Sequence, residues 1–270
     1  MKFTPKALEG NVNVARTHPL KELLWMLGGM VLLLGMLVLI LGFSADLAVS
    51  KVPVSVETWL GRQMLKKVPG EENAALEARL QSLLASLPVD SPLHQYSFRV
   101  FTAKTDAVNA VALPGGNIVV YSGLLNKVQS ENELAMVLAH ELGHFAHRDH
   151  LRGLGRGLGI AVATGMLLGE DSGVSDLVSQ TLLTFQAQYS QSQEAAADQY
   201  GVDLLVRRYG HAGGATTFFS RLARTAGGHL PYLLASHPHP QSRIDGLNER
   251  IRDRHYAVND VLPLAEDIRP

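Results

Sequence analysis

The chain has 270 residues, no cysteine and a formal net charge of −1, with 46% hydrophobic and 18% charged residues. A general nucleic-acid binder needs a basic face, which this charge balance does not provide, so we expect no nucleic-acid partner. Without cysteine, disulfides and thiolate metal ligands are excluded. Any transition-metal site must therefore use histidine and carboxylate side chains.

The clearest single element is an uncharged apolar stretch over residues 23–45. As a helix it would be roughly 34 Å long, enough to cross a hydrocarbon core of about 30 Å. We expect an uncleaved transmembrane helix that has the lipid bilayer as its partner. A cleaved signal peptide is the alternative, although its apolar core usually has only about 7–15 residues.

The charges that flank this helix predict its orientation. The cations before it and close behind it are Lys2, Lys6, Arg16 and Lys21, then Lys51 and Arg62. This modest bias favours an N-terminus on the inside. We expect a single-pass membrane protein with a cytoplasmic tail over 1–22, and with the rest of the chain on the periplasmic or extracytoplasmic side.

Beyond a linker predicted over 46–70, helical and strand-like patterns alternate. Apolar residues at helical spacing predict a helix over 71–87, and alternation predicts a strand over 96–102. Residues 108–123 read as two strands around a Pro-Gly-Gly break. A helix then begins at Ser130, which forms a predicted capping box with Glu133.

The stretch LAHELGHFAHRDH, residues 138–150, contains the pattern H-E-x-x-H at His140, Glu141 and His144. Two histidines four residues apart share one face of a helix and can bind zinc as neutral imidazoles. The glutamate between them is placed to act on the attacking water. A chance match on a core helix is the plain alternative, and the capped helix with its apolar stripe argues against it.

The third ligand is open between two candidates. His150 has the position of the third histidine in H-E-x-x-H-x-x-G-x-x-H, but that pattern needs glycine where this chain has His147. We expect the helix to continue through His147 and carry His150 away from the metal. Glu194 lies downstream in EAAAD, four residues before Asp198, and is favoured as the ligand. Asp198 is then expected to accept the ring N–H of a ligand histidine.

Four segments in this order resemble the HtpX-type and CAAX-prenyl-protease-type family of membrane-associated zinc endopeptidases. They are residues 109–125, 131–150, 194–205 and 236–244. The chain has one clear span, so it is similar to singly anchored members, and substrate inferences from the multi-span members are not transferred.

The resemblance implies one Zn²⁺ per chain held by His140, His144 and Glu194, with Glu141 as general base. It implies that His237 or Arg243 stabilises the oxyanion, His239 being the less favoured histidine. It also implies that an edge strand lines the cleft and pairs with an extended protein or peptide substrate. The residues of that strand are Asn109, Ala110, Val111 and Ala112.

The expected fold is α+β and mainly helical: a zincin-like metalloprotease domain over 71–256 with a small sheet, one transmembrane helix over 23–45, and a C-terminal tail over 257–270. The expected function is zinc-dependent hydrolysis of peptide bonds in protein substrates, with a role in membrane or envelope protein quality control. Two alternatives stay open: a membrane-tethered module whose zinc site His237 closes, and a metzincin-type protease that uses His150.

Overall fold

The structure is a computed structural model that describes residues 18–68, 70–168, 189–225, 237 and 240–268. The helices in these ranges are α1 (Pro19–Val49), α2 (Val54–Leu65), α3 (Ala74–Leu84), α4 (Ser122–Leu125), α5 (Glu131–Ala146), α6 (Asp149–Leu168), α7 (Gln191–Tyr209), α8 (Thr217–Thr225) and α9 (Pro240–Asp253). The strands are β1 (Glu71–Glu72), β2 (Arg99–Ala103), β3 (Ala110–Leu113) and β4 (Asn117–Tyr121). The expected mainly helical α+β fold with a small sheet is confirmed.

The sheet has the order β1-β2-β4-β3, with β2 and β4 parallel and the other pairs antiparallel. The β3–β4 hairpin turns at Gly115 and Gly116, which have φ values of 77° and 85°. Side chains with a Cβ rarely adopt such φ values, so the Pro-Gly-Gly break is where the chain reverses. This topology leaves β3 at an edge of the sheet.

Both faces of the sheet are covered. The main core lies between one face and the helices α3, α5 and α7, around residues such as Leu80, Ile118 and Leu138. A smaller core on the other face joins Met64 of α2 and Leu154 of α6 to Val119 of β4. The chain therefore forms helix layers on either side of a small sheet, which is the usual solution for burying both of its faces.

Helix α2 lies inside the segment for which the sequence predicted a linker. Its Gly61 packs so closely on the β3–β4 turn that a Cβ there would collide with the carbonyl oxygen of Pro114. The carboxylate of Glu57, also on α2, is fully buried. Part of the 46–70 segment is thus packed against the sheet.

Helices α5 and α7 pack unusually closely. A Cβ built on Gly143 would lie 2.8 Å from the Cα of Ala197, so the two backbones are almost in contact at this point. Ser130 caps α5 by accepting a hydrogen bond from the backbone N–H of Glu133. The reciprocal half of the predicted capping box is not formed, because Glu133 accepts from the backbone N–H of Gln129 instead.

Helix α1 contains the stretch predicted to cross the membrane. Among the described residues, its segment Pro19–Leu37 is the one helix long and apolar enough to span a bilayer. Many of its large apolar side chains are exposed, and Leu24, Trp25 and Met26 are each at least 70% exposed. Helix α6 packs against α1 and contains most of the uncharged segment 157–169.

Candidate metal centre

Four side chains from three separate parts of the chain converge in one buried cluster. His140 and His144 come from α5, Glu194 from the first turn of α7, and His237 from just before α9. All four are at most 3% exposed. One ligand atom from each lies within 4.8 Å of all the others, so this set could hold a metal ion.

The spacing of these atoms suits tetrahedral zinc. The Nε2 atoms of His140 and His144 are 3.1 Å apart, and the Nδ1 atom of His237 is 3.3 Å from Nε2 of His140. A carboxylate oxygen of Glu194 lies 3.5 Å from Nε2 of His144. Ligand atoms about 2.0–2.1 Å from a tetrahedral zinc stand roughly 3.3 Å from one another, so the residues fit this ion.

Two carboxylates set the tautomers of the α5 histidines. Nδ1 of His140 is 2.9 Å from Asp198, and Nδ1 of His144 is 3.0 Å from Asp149. Because a carboxylate accepts a hydrogen bond, each Nδ1 carries a hydrogen, and the lone pair of each ring in its neutral form is on Nε2. The two lone pairs face each other, which is unfavourable unless a cation lies between them.

The electrostatics of the cluster favour a cation. Four carboxylates of the cluster are buried, those of Glu141, Asp149, Glu194 and Asp198. The buried guanidinium of Arg243 binds Asp198 and Glu194, and the half-buried Arg152 binds Asp149. Burial opposes a positive charge on His144, but hydrogen bonds to Asp149 and Glu194 outweigh it and raise the pKa of His144 to about 9. The surroundings therefore draw positive charge to the point where the imidazoles meet.

The neighbouring His140 and Glu194 have the protonation states that metal ligands need. Burial and then Arg243 lower the pKa of His140 to about 4, so its ring is neutral at pH 7. Burial alone would raise the pKa of Glu194. His237, His144 and Arg243 outweigh burial and hold that pKa well below its ordinary value.

Arg243 binds the acidic residues of α7. Its guanidinium donates to both carboxylate oxygens of Asp198, at 2.8 and 2.7 Å, and lies 3.0 Å from Glu194. The guanidinium also lies over the ring of Phe219, 4.6 Å from its centroid. These contacts hold Asp198 and Glu194 in position against α5.

Glu141 points into the same buried space. Its side chain is 1% exposed, and Oε1 lies 3.8 Å from Nε2 of His237. Within the described ranges, Oε2 has no hydrogen-bond partner. Burial, the largest cause, raises the pKa of Glu141. A buried carboxylate with an unpaired oxygen and a raised pKa is suited to accept a proton.

The corner after α5 differs from the expectation. We predicted that α5 would run through His147, and this is wrong: the helix ends at Ala146, and Arg148 has a φ of 56°. This left-handed turn brings Asp149 back to His144 and sends His150 elsewhere. Nε2 of His150 lies 3.4 Å from the buried carboxylate of Glu57, so His150 belongs to a separate polar group.

That separate group joins the end of α1 to the end of α5. Arg148 donates to the carbonyl oxygens of Val49 and Val52 and to the carboxylate of Glu57. The hydroxyl of Tyr96 donates to the same carboxylate. Sequence reasoning missed this group because its members come from three distant parts of the chain, around residues 49–57, 96 and 148–150.

The predicted substrate strand occupies the edge position. Ala110, Val111 and Ala112 form most of β3, which packs on α5, and Asn109 directly precedes it. Ala110 and Ala112 are fully buried, whereas Val111 is half-buried. The alternation shows that one face of this strand points into the core. His239 lies outside the described residues.

Two residues at the cluster were missed from the sequence. Asp149 binds His144, and its only sequence signal was a carboxylate five residues after that histidine. Tyr189 stacks on the ring of His144, with centroids 3.6 Å apart and planes inclined by 16°. Nothing in the pattern around Tyr189 distinguished it from a core aromatic residue.

A helical scaffold with a small sheet and a buried His-His-Glu cluster beside a free glutamate defines the class of zincin-like metalloproteins. Residues 71–251 match the model of peptidase family M48. This match covers more than half of the chain, which therefore belongs to peptidase family M48 and is a metalloprotease by family.

Three relatives show how far the similarity extends. Metalloprotease LoiP of Escherichia coli is 30% identical over 188 residues, which cover 66% of this chain and 72% of LoiP. A putative β-barrel assembly-enhancing protease of Vibrio cholerae is 34% identical over 57% of this chain and 35% of its own length. Metalloprotease YcaL of E. coli is 34% identical over 54% of this chain and 59% of its own length.

The ligand assignment can be tested by metal content. Glu194→Ala removes a converging oxygen, so we expect the purified variant to lose most of its bound zinc. His150→Ala changes the separate group around Glu57, so this variant should keep its bound zinc. Metal per chain, measured by elemental analysis at matched protein concentration, distinguishes the two variants. Zinc loss in His150→Ala together with retention in Glu194→Ala would reverse the assignment and favour the metzincin alternative.

Proposed function

We propose that this chain is a membrane-anchored zinc endopeptidase that hydrolyses peptide bonds of protein substrates. The observation that carries the proposal is the convergence of two imidazole lone pairs and one carboxylate beside the unpaired oxygen of Glu141. A purely structural metal site does not need the carboxylate of Glu141, which is not one of the proposed ligands. The narrower likeness to singly anchored HtpX-type members stays a prediction.

In the proposed mechanism His140, His144 and Glu194 hold one Zn²⁺ per chain. When bound, zinc polarises the scissile carbonyl and makes water a better nucleophile. Glu141 accepts the proton of the attacking water at its free oxygen and then passes it to the leaving amine. Asp198 and Asp149 keep both histidines in the tautomer that presents Nε2, which is how such partners raise metal affinity.

His237 and Arg243 have different proposed roles. The contacts of Arg243 with Asp198 and Glu194 support a positioning role over direct contact with the substrate. His237 lies between Glu141 and Glu194, so it can reach the reacting carbonyl. We assign oxyanion stabilisation to His237. Substrate pairing is assigned to the β3 edge, through the backbone of Asn109 to Ala112.

A second candidate function rests on the position of His237. Its Nδ1 atom is 2.8 Å from Glu194 and 3.3 Å from Nε2 of His140, the place of a fourth ligand. A site with four protein ligands leaves no position for substrate or water and is structural. The alternative is therefore a membrane-tethered zinc-binding module without catalytic activity.

Glu141→Gln separates catalysis from metal binding. The substitution keeps size and hydrogen bonding but removes the proton acceptor, so hydrolysis should fall by about 10²–10⁴-fold. Zinc content should stay unchanged, because all three ligands remain. Turnover of a fluorogenic peptide panel or casein, with metal content, measures both effects. Equal rates in wild type and variant contradict the mechanism, and no turnover in either favours the non-catalytic module.

His237→Ala distinguishes the two roles of this histidine. If His237 stabilises the oxyanion, turnover should fall by about 10²–10³-fold while zinc stays bound. If it closes the site, the variant gains a free coordination position and turnover rises instead. His211→Ala is the matched control, since His211 is a buried histidine outside the cluster. Rates and metal content are measured on the same preparations.

The membrane part of the proposal rests on the exposed apolar surface of α1. We propose a single-pass anchor with the catalytic domain on the periplasmic or extracytoplasmic side. The name of the V. cholerae relative refers to β-barrel assembly. This supports, for the present chain, a proposed role in envelope protein quality control.

Carbonate extraction tests the anchor. The full chain should stay with the membranes, whereas Leu33→Arg with Leu34→Arg should release much of it, because each charge at a helix centre costs about 2.5–3.5 kcal/mol of insertion free energy. Val89→Arg, at a 97% exposed position, is the control. A soluble mature chain that lacks its N-terminal helix indicates a signal peptide.

The side of the membrane on which the domain lies can be tested by cysteine labelling. Since the chain has no cysteine, Val89→Cys introduces a single thiol at an exposed position. A membrane-impermeant maleimide should label it in intact cells with a permeable outer membrane if the domain is extracytoplasmic, and should fail to label it if the domain is cytoplasmic.

A further inference from the structure

Tyr189 is a buried polar side chain at the cluster that the mechanism has not used. It directly precedes Ser190, which caps α7, and is 5% exposed. Within the described parts of the chain its hydroxyl has no hydrogen-bond partner. Leaving a buried hydroxyl unpaired costs free energy, so such a group in a folded protein calls for an explanation.

The ring of Tyr189 is held rigidly. It is stacked on the ring of His144 at a centroid distance of 3.6 Å, and its centroid is 5.3 Å from that of His237. The capping box of α7, formed by Ser190 and Gln193, fixes the backbone immediately after it. Gln193 also donates to Asp149, which binds the other edge of His144. A phenol fixed in this way loses little conformational entropy when its hydroxyl forms a hydrogen bond.

The phenol also has the protonation state of a donor. Burial, and then the negative charges of Glu141, Glu194 and Asp149, hold the pKa of Tyr189 well above its ordinary value. The ring contacts both His144 and His237, so geometry places the phenol at the cluster.

We propose that Tyr189 is a further catalytic residue, whose hydroxyl donates a hydrogen bond to the oxygen of the scissile carbonyl as negative charge develops on it. This inference rests on the proposed endopeptidase function. A donor that has no protein partner before the reaction and gains one in the transition state stabilises that state selectively. The stacked ring supplies the preorganisation, and the free hydroxyl supplies the interaction.

Tyr189→Phe keeps the stacked ring and removes only the hydroxyl. The expected result is a fall in kcat of about 10²–10³-fold with little change in KM, zinc content or melting temperature. Tyr209→Phe is the matched control: it is a half-buried tyrosine at the other end of α7, and its kcat should equal that of the wild type. Steady-state kinetics on one fluorogenic peptide give both constants.

A phosphinic peptide, which mimics the tetrahedral transition state, provides the second readout. Its affinity should fall in Tyr189→Phe in parallel with kcat/KM, whereas a merely structural tyrosine would not link the two. An unchanged kcat, a change in KM alone, or a loss of zinc that accounts for the lost activity each overturns the proposal. If zinc-loaded wild type hydrolyses no peptide, the proposed function itself fails; if wild type is active and Tyr189→Phe equals it, only the inference on Tyr189 fails.

Discussion

The structure is organised around two imidazole nitrogens that face each other 3.1 Å apart in a buried space. Neutral rings with their hydrogens on Nδ1 would repel at this distance, so the arrangement is stable only with positive charge between them. The four surrounding carboxylates provide the counter-charge. Their burial is costly unless they are paired or bind a metal, which links the stability of this part of the fold to occupation of the site.

The close packing of α5 and α7 brings this charge arrangement together. The missing side chain of Gly143 and the small side chain of Ala197 let the two backbones approach almost to contact. Because Glu194 is one helical turn before Ala197 and Asp198 follows it, this approach puts one carboxylate on the Nε2 side of His140 and the other on its Nδ1 side. Arg243 then joins both carboxylates from a third helix.

A second buried polar group connects α1 to α5. Arg148 binds the carbonyl oxygens at the end of α1 and the carboxylate of Glu57, and its left-handed backbone makes the corner between α5 and α6. The residue after it, Asp149, orients His144. Two adjacent residues, Arg148 and Asp149, therefore link the end of α1 to His144, which makes α1 and α2 part of the framework that shapes the site.

Local patterns predicted most of the helices and strands, though not α2, and half of the cluster. The spacing of His140 and His144 needs only one helical turn, and the apolar length of α1 and the glycines of the β3–β4 turn act through the backbone of their own segment. Glu194 was predicted from the E-x-x-x-D pattern with its small residues, of which Ala197 packs on Gly143 of α5 whereas Ala195 is exposed. Position 147 is histidine and not glycine, so the helix was predicted to continue. In the structure the helix ends there because Arg148, a non-glycine residue, adopts the left-handed conformation.

Only tertiary structure decided the rest. The partner of His150, the stacking of Tyr189 on His144 and the closeness of His237 to Glu194 all depend on contacts between residues more than 40 positions apart in the chain. Such contacts have no periodic signal, because they arise when separate elements pack and each buried polar group takes the partner that packing provides. The sequence by itself thus determined which chemistry is available and on which helices it lies, and packing decided which groups meet.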